Sequence, residues 1–296
     1  MDLKAYLKNR SAMVDQALDR WLPTEDFLPH SLHQAMRYSV FAGGKRLRPI
    51  LMIAACEAVG GSAQQVMHAA CALEMIHTYS LVHDDLPAMD DDDFRRGQQT
   101  NHKVYGEATA ILAGDALLTE AFRLLADAEA NKSAPPKTVL RVIELVARFA
   151  GSHGMVGGQV VDMESEGKEI DFPTLEYIHT HKTGGLILAS VQVGALLGGG
   201  DEEQFAALTR FGGAAGLAFQ IADDILDVVG DQAELGKDVG SDQARGKATY
   251  PALLGLAEAR QRADELCDLA VESLNPLGSA AETLQVLARY IVDRNS

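Results

Sequence analysis

The chain is short of several things, and each shortage excludes a class of protein. It has three cysteines, Cys56, Cys71 and Cys267, in 296 residues. An odd number at wide spacing argues against a disulfide framework and fits reduced thiols in the cytoplasm. None has metal-ligand spacing, so all three read as small buried hydrophobes. Aromatic residues make up only 6% of the chain, whereas alanine and leucine are abundant. That balance favours helix over sheet. No run approaches the ~18 apolar residues of a membrane span, and Met1-Asp2-Leu3-Lys4-Ala5-Tyr6 lacks the apolar core of a secretory signal. A cytoplasmic protein without membrane insertion is expected. Basic residues are scarce too: 26 Lys and Arg stand against 42 Asp and Glu, for a formal net charge of −16. A nucleic-acid partner is therefore not expected, since a phosphate backbone needs a basic surface. Small phosphorylated ligands remain open, because they need only a few well-placed cations and metals.

Clean period-two alternation is nearly absent as well. What is present is one helical pattern after another, with apolar residues recurring at three and four, as in Leu112, Leu117, Leu118, Phe122, Leu124 and Leu125. Breaks at residues 23–29, 43–44, 60–61, 87–97, 131–136, 167–173, 198–200, 230–246 and 275–278 punctuate about ten helices. Length alone suggests about two domains, but no shift in composition marks a boundary. The expectation is a single all-α domain over residues 1–296, a helical bundle around a central cavity, with 47% hydrophobic residues to fill its core.

The charge gathers in two aspartate clusters. The first runs Asp84-Asp85-Leu86-Pro87-Ala88-Met89-Asp90, trailed by Asp91, Asp92 and Asp93; the second runs Asp223-Asp224-Ile225-Leu226-Asp227. Carboxylates at that density resist burial unless something neutralises them. A hard cation such as Mg²⁺ takes oxygen ligands and leaves positions for water or phosphate. In the second cluster Asp223 and Asp227 lie about 40° apart on one helix face, with Gln220 on nearly the same stripe. The apolar flanks, Phe219, Ile221, Ala222, Ile225, Leu226, Val228 and Val229, argue against a merely solvated acidic face. In the first cluster a continuous helix would put Asp84 and Asp90 about 240° apart. Pro87 resolves this by disfavouring helix at Leu86, so that Asp84 and Asp85 close a helix and Asp90 returns from the loop. An EF-hand is excluded, because Arg95 stands where the pattern from Asp90 requires glycine.

Cations accompany both clusters: Arg95-Arg96 after the first, and Lys237 and Lys247 after the second. Gly43-Gly44-Lys45-Arg46-Leu47-Arg48-Pro49 is a compact basic patch, and Lys182-Thr183 lies in another helix. Together they suggest two diphosphate pockets, one assisted by metal and one held by Lys and Arg alone. His77 lies seven residues before Asp84, on nearly the same face. The loops after the two clusters are long and polar, as lids often are. The order helix, Asp pair, further Asp, basic loop occurs twice, an echo that suggests pseudo-symmetry.

On these residues the chain resembles the short-chain trans-prenyl diphosphate synthases, most closely the bacterial-type farnesyl diphosphate synthases. The segments that carry the likeness are residues 43–49, 77–97, Gly157-Gly158-Gln159 with Asp162, Lys182-Thr183-Gly184, 219–227 and Gly236-Lys237-Asp238. The resemblance implies an all-α isoprenoid-synthase fold, a homodimer and up to three Mg²⁺ per subunit. It implies Asp84, Asp85 and Asp90 as metal ligands on one side of the allylic diphosphate, and Asp223, Asp224 and Asp227 on the other. Arg95, Lys182 and Lys237 would contact that diphosphate. Thr183 and Gln220 would line the allylic tail and, with Lys182, serve catalysis. Lys45, Arg48, His77 and Arg96 would bind isopentenyl diphosphate.

Product length falls to Tyr79 and Ser80. Tyr79 lies about 7.5 Å along the helix axis before Asp84, and in this family a bulky residue there goes with a C15 product. Helix geometry leaves Tyr79 about 140° round from Asp84, so ordinary core packing stays open. A geranylgeranyl or geranyl diphosphate synthase is the nearest alternative. A class I terpene cyclase would not need the Lys45 and Arg48 patch, and a non-catalytic partner subunit would be expected to lack one cluster.

Overall fold

The computed structural model describes residues 1–229 and 248–293. Fourteen α-helices are present among them, more than the ten or so expected, because several loop stretches close into single turns. By internal packing the chain divides into two compact units.

The first unit comprises Asp2–Ile50 and Gln64–Ile143. It holds α1 (Leu3–Trp21), α2 (His30–Val40), the start of α3 (Leu47–Ala58), α4 (Ala63–Asp84), α5 (Asn101–Tyr105), α6 (Glu107–Leu125) and the first half of α7 (Pro136–Ala150). Asp2 caps α1, its side chain accepting from the Ala5 N–H at 3.1 Å, which satisfies one of the orphan amides of the first turn. Helix α4 is the spine of this unit. Val66, Ala69, Ala70, Cys71, Leu73, Met75 and Ile76 on it are fully buried, each large side chain stabilising by ~1.5–3 kcal/mol over its exposed state. After α4 a two-stranded antiparallel hairpin, β1 (Phe94–Arg95) and β2 (Gln98–Gln99), pairs Phe94 with Gln99 and Arg95 with Gln98. Its turn residues Arg96 and Gly97 both have positive φ, 53° and 76°, as a tight hairpin turn requires. The period-two signal missed it because each strand is only two residues long.

The second unit comprises Met1, Leu51–Ala63 and Glu144–Ser296. It holds α8 (Met155–Ser165), α9 (Phe172–Ile178), a π-helical segment (His179–Gly184), α10 (Gly185–Leu197), α11 (Glu202–Val229), α12 (Tyr250–Leu254), α13 (Leu256–Ser273) and, after a 3₁₀ stretch, α14 (Glu282–Asp293). Helix α10 is apolar on every side and almost wholly buried, as a central helix must be. Helix α11, 28 residues long, packs on α10, α13 and the π segment. Its small residues Ala207, Gly212, Ala214, Ala215, Gly216 and Ala218 are buried and allow that close approach. All three cysteines are buried free thiols.

Candidate active site

In the first unit, α4 ends at Asp84 and the chain turns back within six residues. Leu86 is pinned against Val82 and Ala110, with Met89 packed beside them. The Asp90 N–H donates to the Asp84 carbonyl at 2.9 Å, and the Asp91 N–H to the Leu86 carbonyl at 3.1 Å. The loop thus returns Asp90 to the end of the helix that carries Asp84. Asp85 is buried, and its carboxylate accepts from Arg95 Nε at 2.6 Å and from Nη2 at 2.5 Å. Burial pushes the Asp85 carboxyl above the ordinary aspartate range, and the Arg95 guanidinium only partly offsets this.

The basic patch divides by role. Arg46 is buried and fully bonded: Nε to Asp15 at 2.8 Å, Nη1 to Glu74 at 2.8 Å and Nη2 to the Val40 carbonyl at 2.7 Å. It builds the loop. Lys45 is exposed and Arg48 half-buried. Arg96 closes on the patch from the hairpin, its Nη1 donating to the Gly43 carbonyl. Gly44 lies against that guanidinium; a Cβ there would sit 2.7 Å from Arg96 Nη1. His77 faces the same cations. Desolvation, reinforced by Arg48, Arg96, Arg95 and Arg46, holds its imidazole well below the usual range. The repulsion of these arginines at His77 marks a region of positive potential suited to an anion.

Arg46, Asp91 and Arg96 are the non-glycine residues with positive φ, at 49°, 52° and 53°, among the described residues. All three lie in the motif loops, where backbone strain tends to gather. Tyr79 is buried, its ring edge-on to His83 at 5.7 Å. His83 Nε2 donates to the Ile111 carbonyl at 3.0 Å. Ser80 donates to the His77 carbonyl at 2.8 Å.

In the second unit, Lys182 Nζ donates to Asp162 Oδ2 at 2.6 Å. Helix α8, which carries Asp162, packs backbone-to-backbone on the π segment, for a Cβ at Gly158 would lie 2.3 Å from the Lys182 nitrogen. Thr183 lies in the same segment. On α11, Asp223 and Gln220 are half-buried and Asp227 is buried. Asp224 is buried too, but its Oδ2 accepts from His179 Nε2 at 2.8 Å and from the Tyr250 N–H at 2.9 Å. Lys237 and Lys247 fall outside the described residues. His179 and Tyr250 were missed by sequence reading, and nothing in their spacing signals them. Glu74 had a signal: it is a lone acid within the apolar run Ala69–Ile76.

Among the described residues, no group of three or more His, Cys, Asp or Glu is gathered so as to hold a metal ion. The first cluster nevertheless supplies the donor type that a hard divalent cation takes: the carboxylates of Asp84 and Asp90, whose backbones the loop joins, and of Asp85, which is held by Arg95.

Helices with almost no sheet, two aspartate-rich segments and lysine and arginine groups set for anions define the class, the all-α isoprenoid synthases. The chain belongs to the polyprenyl synthetase family, whose model matches residues 29–284. It is 51% identical over 262 residues to a farnesyl diphosphate synthase of Geobacillus stearothermophilus, covering 88% of each chain. It is 45% identical over 296 residues to a geranylgeranyl diphosphate synthase of Cyanophora paradoxa, covering 100% of this chain and 97% of that one. A crystal structure of an FPP/GFPP synthase from Zymomonas mobilis superposes with a TM-score of 0.88 at 37% identity, covering 98% of this chain and 99% of that one. The activity is therefore that of a prenyltransferase of isoprenoid biosynthesis, a trans-prenyl diphosphate synthase.

Proposed function

We propose that the chain is a Mg²⁺-dependent farnesyl diphosphate synthase, joining isopentenyl diphosphate head-to-tail to dimethylallyl and then geranyl diphosphate. What supports this reading is the positive potential that Arg48, Arg96 and Arg95 exert at His77, on the helix whose C-terminal loop returns Asp90 to Asp84. Lys45, Arg48, His77 and Arg96 bind isopentenyl diphosphate. Arg95, Lys182 and Lys237 hold the allylic diphosphate. Asp84, Asp85, Asp90, Asp223 and Asp227 are the carboxylates that would hold Mg²⁺. When bound, the metal would screen the negative charge that grows on the leaving diphosphate. Lys182 and the arginines would each add fixed positive charge to the diphosphate they hold. Thr183 and Gln220 lie along the allylic tail near the developing cation. Carbon–carbon bond formation must outrun capture by water, which requires a closed, dry cavity. The departed diphosphate takes the proton, since no other base is apparent. In this reading residues 1–296 are a single prenyl diphosphate synthase domain, working in the cytoplasm as a homodimer. Exposed Val104, Ile111 and Leu112 on α5 and α6 support a partner surface there. Among the described residues no helix is long and apolar enough to cross a membrane.

Product length is the finer part of the proposal, because the relatives bear both farnesyl and geranylgeranyl names. Buried Tyr79, held against His83, is the floor of the tail cavity, with Ser80 leaving room on the adjacent face. Purified protein supplied with Mg²⁺, isopentenyl diphosphate and dimethylallyl diphosphate should release mainly C15. Tyr79→Ala should shift the product toward C20 while the first condensation continues. A C20 product from the unaltered chain would refute the farnesyl assignment and favour a geranylgeranyl diphosphate synthase. An unchanged C15 product from folded Tyr79→Ala would place the floor elsewhere.

A further inference from the structure

The second aspartate cluster holds two adjacent carboxylates in different situations. Asp223 is half-buried. Asp224, the next residue and about 100° further round α11, is only 3% exposed and has one oxygen fully engaged. His179 Nε2 approaches that oxygen at 2.8 Å, and the Tyr250 backbone N–H approaches it at 2.9 Å. His179 is itself 5% exposed, and Tyr250 is fully buried. The Tyr250 ring lies 5.3 Å from the His179 ring and 5.3 Å from that of Phe172. One carboxylate oxygen therefore ties together α11, the first residue of the π segment and the first residue of α12.

The π segment is where this matters. It runs from His179 to Gly184 and carries Lys182 and Thr183. A π turn is less stable than the α-helix on either side, persists where the surroundings enforce it, and is frequent at functional sites. Side-chain contacts from the neighbouring helices α8 and α11 bear on it. Asp162 grips Lys182 at 2.6 Å from α8, and Asp224 grips His179 from α11.

We propose that Asp224 is a positioning residue and not a metal ligand: through His179 it fixes the π segment, and so the place from which Lys182 and Thr183 meet the allylic diphosphate. This rests on the reading of the cluster given above. Asp224 Oδ2 is committed to a buried imidazole and a backbone amide, and turning that oxygen toward a cation would strand both donors without partners. The metal-binding duty of the cluster then falls on Asp223 and Asp227.

The test compares Asp223→Asn, Asp224→Asn, His179→Ala and His179→Gln. Binding of Mg²⁺ with inorganic pyrophosphate is measured by calorimetry, and KM for each substrate separately. Asp223→Asn should weaken Mg²⁺–pyrophosphate binding by about tenfold or more. Asp224→Asn should change it by less than about twofold, yet raise KM for the allylic diphosphate or lower kcat about tenfold, the scale of one lost charge-assisted hydrogen bond. KM for isopentenyl diphosphate should stay put. His179→Ala should reproduce the Asp224→Asn pattern, and the double variant should be no worse than either single one, as for two residues acting through one contact. His179→Gln keeps an N–H donor and should recover part of the loss. Metal binding weakened equally by Asp223→Asn and Asp224→Asn would overturn the proposal, and so would additive losses in the double variant. If Asp223→Asn left metal binding intact, the metal reading of the cluster would fail instead, and the brace would be judged on the allylic KM and the double variant.

Discussion

The two aspartate-rich segments are built by opposite structural means. In the first unit the carboxylates sit on a broken helix and a tight loop. Backbone hydrogen bonds bring residues six apart together, Asp90 to Asp84, and Arg46, Asp91 and Arg96 take up left-handed conformations nearby. The buried carboxylate there, Asp85, is held by the half-buried guanidinium of Arg95. In the second unit the carboxylates lie on one uninterrupted helix. The buried one, Asp224, is held by a buried imidazole and a main-chain amide. An arginine on a hairpin can exchange a carboxylate for a phosphate if another cation takes its place beside the carboxylate. A buried histidine and a backbone amide cannot. The buried carboxylate of the first cluster is thus held by one side chain, and that of the second by a side chain and the main chain.

The largest expected effect bears on whether both clusters serve the same metals. Removing divalent metal with excess EDTA should abolish turnover, and Mg²⁺ should restore it, since unscreened carboxylates and diphosphates repel at contact. Asp84→Ala and Asp223→Ala should each cost on the order of 10²–10³ in kcat, the scale of losing one preorganised electrostatic contact. Steady-state rates across a Mg²⁺ titration measure both. Full activity in EDTA, or a severe loss in only one of the two variants, would break the symmetry of role assumed for the clusters.

How much of this was legible beforehand differs between the regions. The helical class, the break at Pro87 and the sharing of a face by Asp223 and Asp227 follow from periodicity and from proline's geometry, both local. The partition of Lys45, Arg46 and Arg48 was not legible. Three basic residues in four positions look alike until Asp15 and Glu74, far off in sequence, claim the middle one. The hold on Asp224 was hidden for the same reason. Its partners His179 and Tyr250 lie 45 and 26 residues away on either side, and no periodicity links them. The π segment was likewise invisible, because a widened turn depends on what packs around it and not on its own sequence. Lys237 and Lys247 lie outside the described residues, so the loop after the second cluster adds nothing to either side of the comparison.

A second test asks whether the strained loops of the first unit are scaffold or substrate contact. Arg46 and Glu74 are 2% and 3% exposed at the side chain. Truncating one partner of such a buried pair strands the other charge, at about 3–5 kcal/mol. Arg46→Ala should therefore lower the stability measured by urea unfolding by that amount. Lys45→Ala, one residue away and exposed, should stay within about 0.5 kcal/mol of the parent. It should instead raise KM for isopentenyl diphosphate, reflecting loss of a charged hydrogen bond worth about 1.5–3 kcal/mol. Equal stability losses in both variants would remove the distinction between the two neighbours.

The smallest expected effect is a pH slope, and it belongs to the first unit. His68 and His77 both have folded-state values depressed below the ordinary 6.5. For His68 the cause is desolvation, opposed by Asn131 and Asp127. For His77 it is desolvation reinforced by four arginines. Both rings are neutral in the folded chain at neutral pH, whereas in the unfolded chain each takes up a proton as pH falls through about 6.5. The unfolded state binds more protons in that window. Stability contributed by the two neutral rings is thus complete above pH 6.5 and is lost as pH falls toward their folded values. Each ring adds at most about 1.4 kcal/mol per pH unit to the slope. Urea unfolding at pH 7.5, 6.5 and 5.5 should give falling stability, with the steeper drop in the lower interval. His77→Gln should flatten that drop by one ring's share, leaving His68 to supply the rest. Arg48→Ala should flatten it less, because it removes one of four repelling cations and leaves the desolvation in place. A slope in His77→Gln as steep as the parent's would mean that the ring is already protonated among the arginines, and the anion pocket would then carry one more positive charge than drawn here.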